Sequence, residues 1–372
     1  MKLGWKFDPD LEEASKMRFD KAEAEYYLGI DLHKRQAVCC LLDGKGEERG
    51  RERVESSREG LRSLLAGLSG YEVGVAIEAS GCTAWAVDLL RELGVRVEVA
   101  NPYEVSLISR DRNKTDRRDA KHLAKLLRLG ELPRAHIPEP AVRGERKWLR
   151  HRAGVAVWRG MVRNKIHAIV TANGYGYAPA SPFTQKGRAW LRGLELGEDE
   201  RSVLEELLVM EEELGRRLAV MDKKVRERYR GDERVELLRT MPGVGYFLGA
   251  LILAEIDGPE RFGDFHELVS YSGLAPGGYQ SGEVEQSRPI TREGSPWLRW
   301  GLVEAAQTVK WRRQGPLYAW YRGVEKRRGA RKATVALAHK MLKIMHSMLK
   351  QGRAFDYRPE THRSHGRQDS EV

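Results

Sequence analysis

Residues 26–43 run YYLGIDLHKRQAVCCLLD, and residues 73–78 run VGVAIE. Apolar and β-branched residues flank a Gly-Ile-Asp-Leu stretch in the first, which predicts the two strands of a hairpin; the second predicts a short buried strand. Beyond them the pattern predicts a charged turn over Gly44–Gly50, a helix over Glu59–Leu68, a second over Ala84–Leu93 and a strand over Val95–Val99 that ends at Asn101-Pro102. Strands alternating with helices predict an α/β layer with some parallel pairing. Prolines at 133, 138 and 140 close this domain.

Asp31 stands among apolar neighbours in the first strand, where a charge is costly unless it binds something. Glu78 ends the later strand and precedes Ala-Ser-Gly. In Lys114-Thr115-Asp116-Arg117-Arg118-Asp119-Ala120 two aspartates lie three residues apart at the start of a helix expected to reach Leu129, so they share a face. Singly, each acid has a plain structural explanation, Asp116 as a charge at a helix N-terminus and Glu78 as a strand-end residue. Jointly, an Asp in strand one, a Glu at a later strand end and an Asp-x-x-Asp on a helix make the convergent carboxylate set with which nucleases and recombinases hold two divalent ions. Mg²⁺ is the expected ion, Mn²⁺ the alternative. Lys114, Arg117 and Arg118 would repel a metal and are expected to face outward, toward phosphates or simply toward water.

The chain as a whole has 372 residues, with 65 Lys and Arg against 54 Asp and Glu, a net charge of +11 and 41% hydrophobic residues. That length predicts two or three domains with sizeable cores, and the basic balance a polyanionic partner. The longest apolar stretch, around Leu248–Ile256, is far short of the roughly 20 residues of a membrane span, so a soluble protein with no membrane partner is expected. Met1–Glu25 is charged throughout and is expected to be a variable leader rather than a secretory signal. Cys39, Cys40 and Cys82 form neither a disulfide framework nor a zinc pattern, which fits a reducing cytoplasm.

Residues 141–234 predict long helices with a break over Asn173–Gly187. In the second helix, Arg201–Arg230, a stripe of Val203, Leu207, Met210, Leu214, Leu218, Met221 and Val225 suits either a coiled-coil seam or a helix packed on its own domain. Residues 235–350 predict a third unit, with a short apolar helix and a Gly-rich middle over Gly273–Gly294 between helices. The tail, 351–372, is expected to be disordered. Met241-Pro242-Gly243-Val244-Gly245-Tyr246 resembles the hairpin of a helix-hairpin-helix, where Gly243 and Gly245 would let backbone amides approach a phosphate; the same residues also make ordinary tight turns. Basic and aromatic residues mix over Arg143–Lys165 and Trp320–Lys332, suiting phosphate contact and base stacking, or a helix that shows Arg to water and buries Trp.

The stretches YLGIDLHK, VGVAIEASG, RVEVANPYEVSLISRDRNKTDRRDAKHLAKLLRLGEL, LLRTMPGVGYFLGALILAEI and LVSYSGLAPGGYQSGEVEQSRPITREGSPWLRWGLVEAA resemble, in order and spacing, the insertion-sequence 110 or DEDD transposases, which include the Piv-type DNA invertases. The resemblance covers most of residues 26–310. It implies a ribonuclease H-like (RuvC-like) α/β domain at 26–140 whose metal-binding acids are Asp31, Glu78, Asp116 and Asp119. It further implies a helical or coiled-coil linker at 141–234 and a mostly α-helical transposase domain at 235–350 carrying a serine nucleophile. Ser281, in Gln280-Ser281-Gly282 after Gly273-Leu274-Ala275-Pro276, matches that serine best, with Ser270, Ser272 and Ser295 as alternatives. Arg292 stands where the family usually has Lys. Members of the family use a non-coding guide RNA to choose double-stranded donor and target DNA, so both partners, and a homodimer or homotetramer in the cytoplasm near the nucleoid, are implied.

A serine hydroxyl needs a base or a metal to help remove its proton, and no His-Asp pair adjoins Ser281 in the sequence. A composite site is therefore expected, built from the first and third domains, with different protomers supplying the two parts. Competing readings are a structure-selective nuclease that uses the acids and water, an actin-like ATPase, for which no second Gly-rich phosphate loop is found, and a DNA-binding protein that has lost catalysis.

Overall fold

The computed structural model describes residues 24–108, 116–176, 181–281 and 284–356, giving the backbone alone at 116–117, 278–281 and 284–288. The expected leader, apart from its last residues, and the tail beyond 356 lie outside the described residues. The described residues form two compact units, divided after Pro140.

The first unit is built on one five-stranded sheet of order β3-β2-β1-β4-β5. Its strands are β1 (Tyr26–Leu32), β2 (Gln36–Asp43), β3 (Glu48–Glu55), β4 (Val73–Glu78) and β5 (Arg96–Ala100). The first three pair antiparallel, whereas β4 runs parallel to β1 and β5 parallel to β4. β3 corrects the expected turn at Gly44–Gly50. It is an edge strand whose ERGRERVE sequence leaves no residue fully buried, so it lacks the apolar alternation that marks a strand from sequence.

Side chains alternate across the sheet with a period of two. Tyr26, Leu28 and Ile30 of β1, with Val75 and Ile77 of β4, join a core beneath α1 (Arg58–Ala66) and α2 (Thr83–Glu92). The opposite face of β2 presents Val38, Cys40 and Leu42 to Ala120 and Ala124 of α4 (Asp116–Arg128). The short helix α3 (Pro102–Ile108) follows β5. Burial pushes the Cys39 thiol far above its ordinary range and that of Cys40 up to about 11, so both act as core residues.

In the second unit α5 (Pro140–Ala172) and α7 (Glu198–Tyr229) lie antiparallel, with α6 (Gln185–Arg192) between them in sequence. The pairs Arg163–Glu211, Arg152–Asp222 and Tyr229–Glu145 set their register. The apolar stripe of α7 thus packs largely within its own chain, burying Leu207, Leu218 and Val225 while Val203 and Met210 stay exposed. Next come α8 (Glu233–Arg239), α9 (Tyr246–Ile256), α10 (Phe265–Ser272), α11 (Pro296–Arg312), α12 (Pro316–Arg328) and α13 (Ala330–Gln351). From Gly249 to Ile256 every residue of α9 is buried, as befits a helix that is apolar all round. The Gly-rich middle holds a two-stranded hairpin, β6 (Pro276–Ser281) and β7 (Val284–Ile290).

Candidate functional site

Strand register brings the first two acids together. In the parallel pair Gly29 lies opposite Ala76 and Ile30 opposite Ile77, so Asp31 and Glu78 are neighbours at the C-terminal ends of their strands. The two-residue period turns Asp31, like Gly29, and Glu78, like Ala76, toward the face that α4 covers. Ligands of open α/β sheets gather at such strand ends.

Small residues let α4 come close enough to complete the set. A Cβ added at Gly29 would fall 1.9 Å from the carbonyl oxygen of Ala120 and 2.7 Å from the backbone nitrogen of Ala124. Only glycine fits beneath the helix there. α4 therefore lies against β1, with Asp119 one residue before the contact. Asp31, Glu78 and Asp119 all line one cavity of about 160 Å³, together with His33, Ser106 and His122.

Asp116 opens α4, one turn before Asp119, by its backbone. The Asp31 carboxylate is 15% exposed and meets Nε2 of His33 at 3.1 Å. Among the described residues no three His, Cys, Asp or Glu side chains stand close enough together to hold an ion. The donor set still suits a hard divalent cation, because oxygen ligands from separate elements open on shared space.

Sequence reasoning missed His33 and His122. Both carried a usable signal: His33 follows Asp31 by two residues in an extended chain, and His122 follows Asp119 by three on a helix. Of the cationic neighbours, Arg118 is exposed on α4. Lys114 lies outside the described residues, as does the Arg117 side chain.

In the second unit Ser281 is the last residue of β6, paired with Val284 at the far end of the hairpin. The near end is pinned. Thr291 N–H donates to Ala275 O at 3.0 Å, Arg292 N–H to Gly273 O at 3.2 Å and Ser295 N–H to Tyr271 O at 2.7 Å. Arg292 is exposed and takes a left-handed φ of 60°, a conformation that costs a non-glycine residue energy.

Two alternative serines have structural duties. Ser272 is fully buried, its Oγ donating to Val269 O at 2.7 Å and accepting from Leu274 N–H at 3.2 Å. Ser295 caps α11 by accepting from Leu298 N–H at 3.1 Å, and its hydroxyl donates to the buried Glu255 at 2.9 Å. Ser270 is exposed on α10.

The Met241–Tyr246 turn joins α8 to α9. Gly243 has φ +90°, and a Cβ there would come 2.5 Å from Ala305 O on α11, so packing as well as turn geometry requires glycine. Gly245 differs. It is the N-cap of α9, no side chain caps that end, and the space beside it is open.

Two family profiles match the chain, one described as "Transposase" over residues 28–173 and one as "Transposase IS116/IS110/IS902 family" over residues 235–322. The y4qE protein of Sinorhizobium fredii, which carries a transposase name, is 27% identical over 302 residues, 78% of this chain and 74% of that protein. The transposase for insertion sequence element IS1111A of Coxiella burnetii is 23% identical over 334 residues, 87% of this chain and 89% of its own. The pilin gene-inverting protein of Moraxella bovis is 30% identical over 129 residues, 34% of this chain and 40% of its own. The two profiles follow one another along this chain and together cover more than half of its length, and the chain belongs to the IS110 family of transposases, enzymes of DNA transposition and recombination.

Proposed function

We propose that this transposase cuts and rejoins double-stranded DNA at an insertion sequence, using Ser281 as nucleophile and Asp31, Glu78, Asp116 and Asp119 as the holders of Mg²⁺, or of Mn²⁺ in its place. The observation that carries the reading is the cavity shared by Asp31, Glu78 and Asp119. In the same reading the first unit is ribonuclease H-like, of the RuvC kind. The strand order β3-β2-β1-β4-β5, with its antiparallel first half and parallel second half, supports this. A guide RNA and a homo-oligomer complete it.

A divalent ion held by these acids would polarise a phosphodiester oxygen and offset the negative charge that builds on it. The chain's own groups have three tasks. The carboxylates bind, held at two strand ends and on one helix rather than on loops, so their separation is set by the sheet. Ser281 Oγ bonds to phosphorus as the bond to a deoxyribose oxygen breaks; that oxygen leaves with a proton, and the phosphoserine link keeps the bond energy for rejoining. Arg292, Arg117, Arg118, Lys114 and the backbone amides at Gly243 and Gly245 hold phosphates in place.

The test is strand cleavage of supercoiled DNA carrying the element's ends, with guide RNA and a divalent ion. Wild-type protein cleaves with Mg²⁺ and stops on chelation, and Asp119→Asn and Glu78→Gln do not cleave although they bind DNA. Full activity in both variants would overturn the carboxylate assignment.

A further inference from the structure

Trp311 has no evident structural task. It lies in the last turn of α11 and is 80% exposed, more than any other large hydrophobic side chain among the described residues. Among the described residues no aromatic ring or cation packs on its indole. A single exposed apolar side chain is ordinary, so what surrounds the indole decides its meaning.

The surroundings identify the partner. Trp311 and Lys310 line two open concavities, of about 640 and 700 Å³. The first also presents Arg313 and Arg322, with Tyr318 stacked on Tyr321 at 6.1 Å and 22°. Lys310, Arg312 and Arg313 form no ion pair among the described residues, and Arg313 takes a left-handed φ of 53° as it ends the helix. Glu325, the acid of this concavity, is held by Arg322 and by the Tyr321 hydroxyl, the latter at 2.6 Å. Cations continue through Lys326, Arg327 and Arg328 of α12 to Arg331 and Lys332 of α13, all exposed. Lys310 and Arg312 complement the negative end of α11, which explains their charge but not a bare indole beside them.

We propose that Trp311 is a stacking platform for an unpaired base of a nucleic-acid strand, with Lys310, Arg312 and Arg313 on the flanking phosphates. A planar π-face beside unpaired cations matches the repeat of base and phosphate in a single strand. A duplex keeps its bases stacked on one another and has none to offer the indole. The site rests on the proposed nucleic-acid function but assigns it a surface in the helical unit, apart from the serine hairpin. Either the guide RNA or a locally unpaired DNA strand supplies the same chemistry.

The experiment measures fluorescence anisotropy with full-length protein and one sequence in three forms: single-stranded RNA, single-stranded DNA and duplex DNA. Trp311→Ala should weaken single-strand binding roughly tenfold, Trp311→Phe should restore most of it, and duplex binding should not change. A loss confined to RNA or to DNA supports the platform and names the strand. Equal affinity of Trp311→Ala and wild type for all three forms overturns the platform and leaves the proposed function standing. A changed sedimentation coefficient with unchanged affinities overturns it in favour of a protein partner. Failure of the wild type to bind any form overturns both readings.

Discussion

The two units handle inward-facing carboxylates in opposite ways. In the helical unit Glu211 is fully buried, and Arg159, Arg163 and Arg188 reach it at 2.8, 2.7 and 2.5 Å. Glu255, also fully buried, takes both nitrogens of an Arg150 fork at 2.6 and 2.8 Å and the Ser295 hydroxyl. These acids are saturated, and they join α5 to α7 and α5 to α9. In the α/β unit Asp31, Glu78 and Asp119 instead open on shared space. An acid enclosed by guanidinium groups holds helices together, whereas acids from separate elements that line one cavity can converge on a shared ligand. Under the proposed function, a shared cavity rather than burial separates the metal-holding carboxylates from those that tie helices together.

That contrast predicts opposite outcomes for similar substitutions. Glu211→Ala should have the largest effect, about 3 kcal/mol of lost stability in urea denaturation, because it strands cations that had a buried partner. The value lies at the low end for broken buried pairs, since the three guanidinium groups keep 22–35% exposure. Asp31→Asn or Glu78→Gln should do the reverse, lowering strand cleavage at least about a hundredfold, the upper range for groups one step removed from a metal, with the denaturation midpoint unchanged or raised. A stability loss as large as that of Glu211→Ala would erase the distinction.

Gly29→Ala sharpens it further. Pushing α4 off β1 should lower stability by about 1–3 kcal/mol and cleavage with it, because Asp119 moves with the helix. The smallest effect is on pH dependence. Burial alone would raise the Glu211 carboxyl, but the hydrogen bonds and charges of Arg163 and Arg159 outweigh it and hold the group below its ordinary value. The stability it contributes is then fully present above an unfolded value of about 4.3 and lost as pH falls through the lower folded value. Denaturation midpoints from about pH 5 to pH 3 should therefore fall more steeply for wild type than for Glu211→Gln.

Legibility in the sequence followed the same divide. Asp31 could be read because it is a charge among apolar neighbours in a strand, Glu78 because it ends a short apolar run, and Asp116 and Asp119 because residues three apart share a helix face. Gly29 could not, since its close contact exists only once a helix some ninety positions later lies across the strand. Glu211 and Glu255 looked like ordinary helix charges, because their arginine partners lie 23 to 105 residues away. The β6–β7 hairpin hid in glycine-rich, polar sequence, and β3 in edge-strand charges. Ser272 and Ser295 stayed open as nucleophiles until their hydrogen bonds assigned them to a helix end and a helix cap.

Covalent capture tests the central claim most directly. Wild-type protein is incubated with element DNA, guide RNA and Mg²⁺, denatured, digested and mapped by mass. The account predicts a nucleotide joined to the peptide that contains Ser281, absent from Ser281→Ala and from Asp119→Asn. Cleaved DNA with no protein adduct, or an adduct that persists in Ser281→Ala, would contradict it.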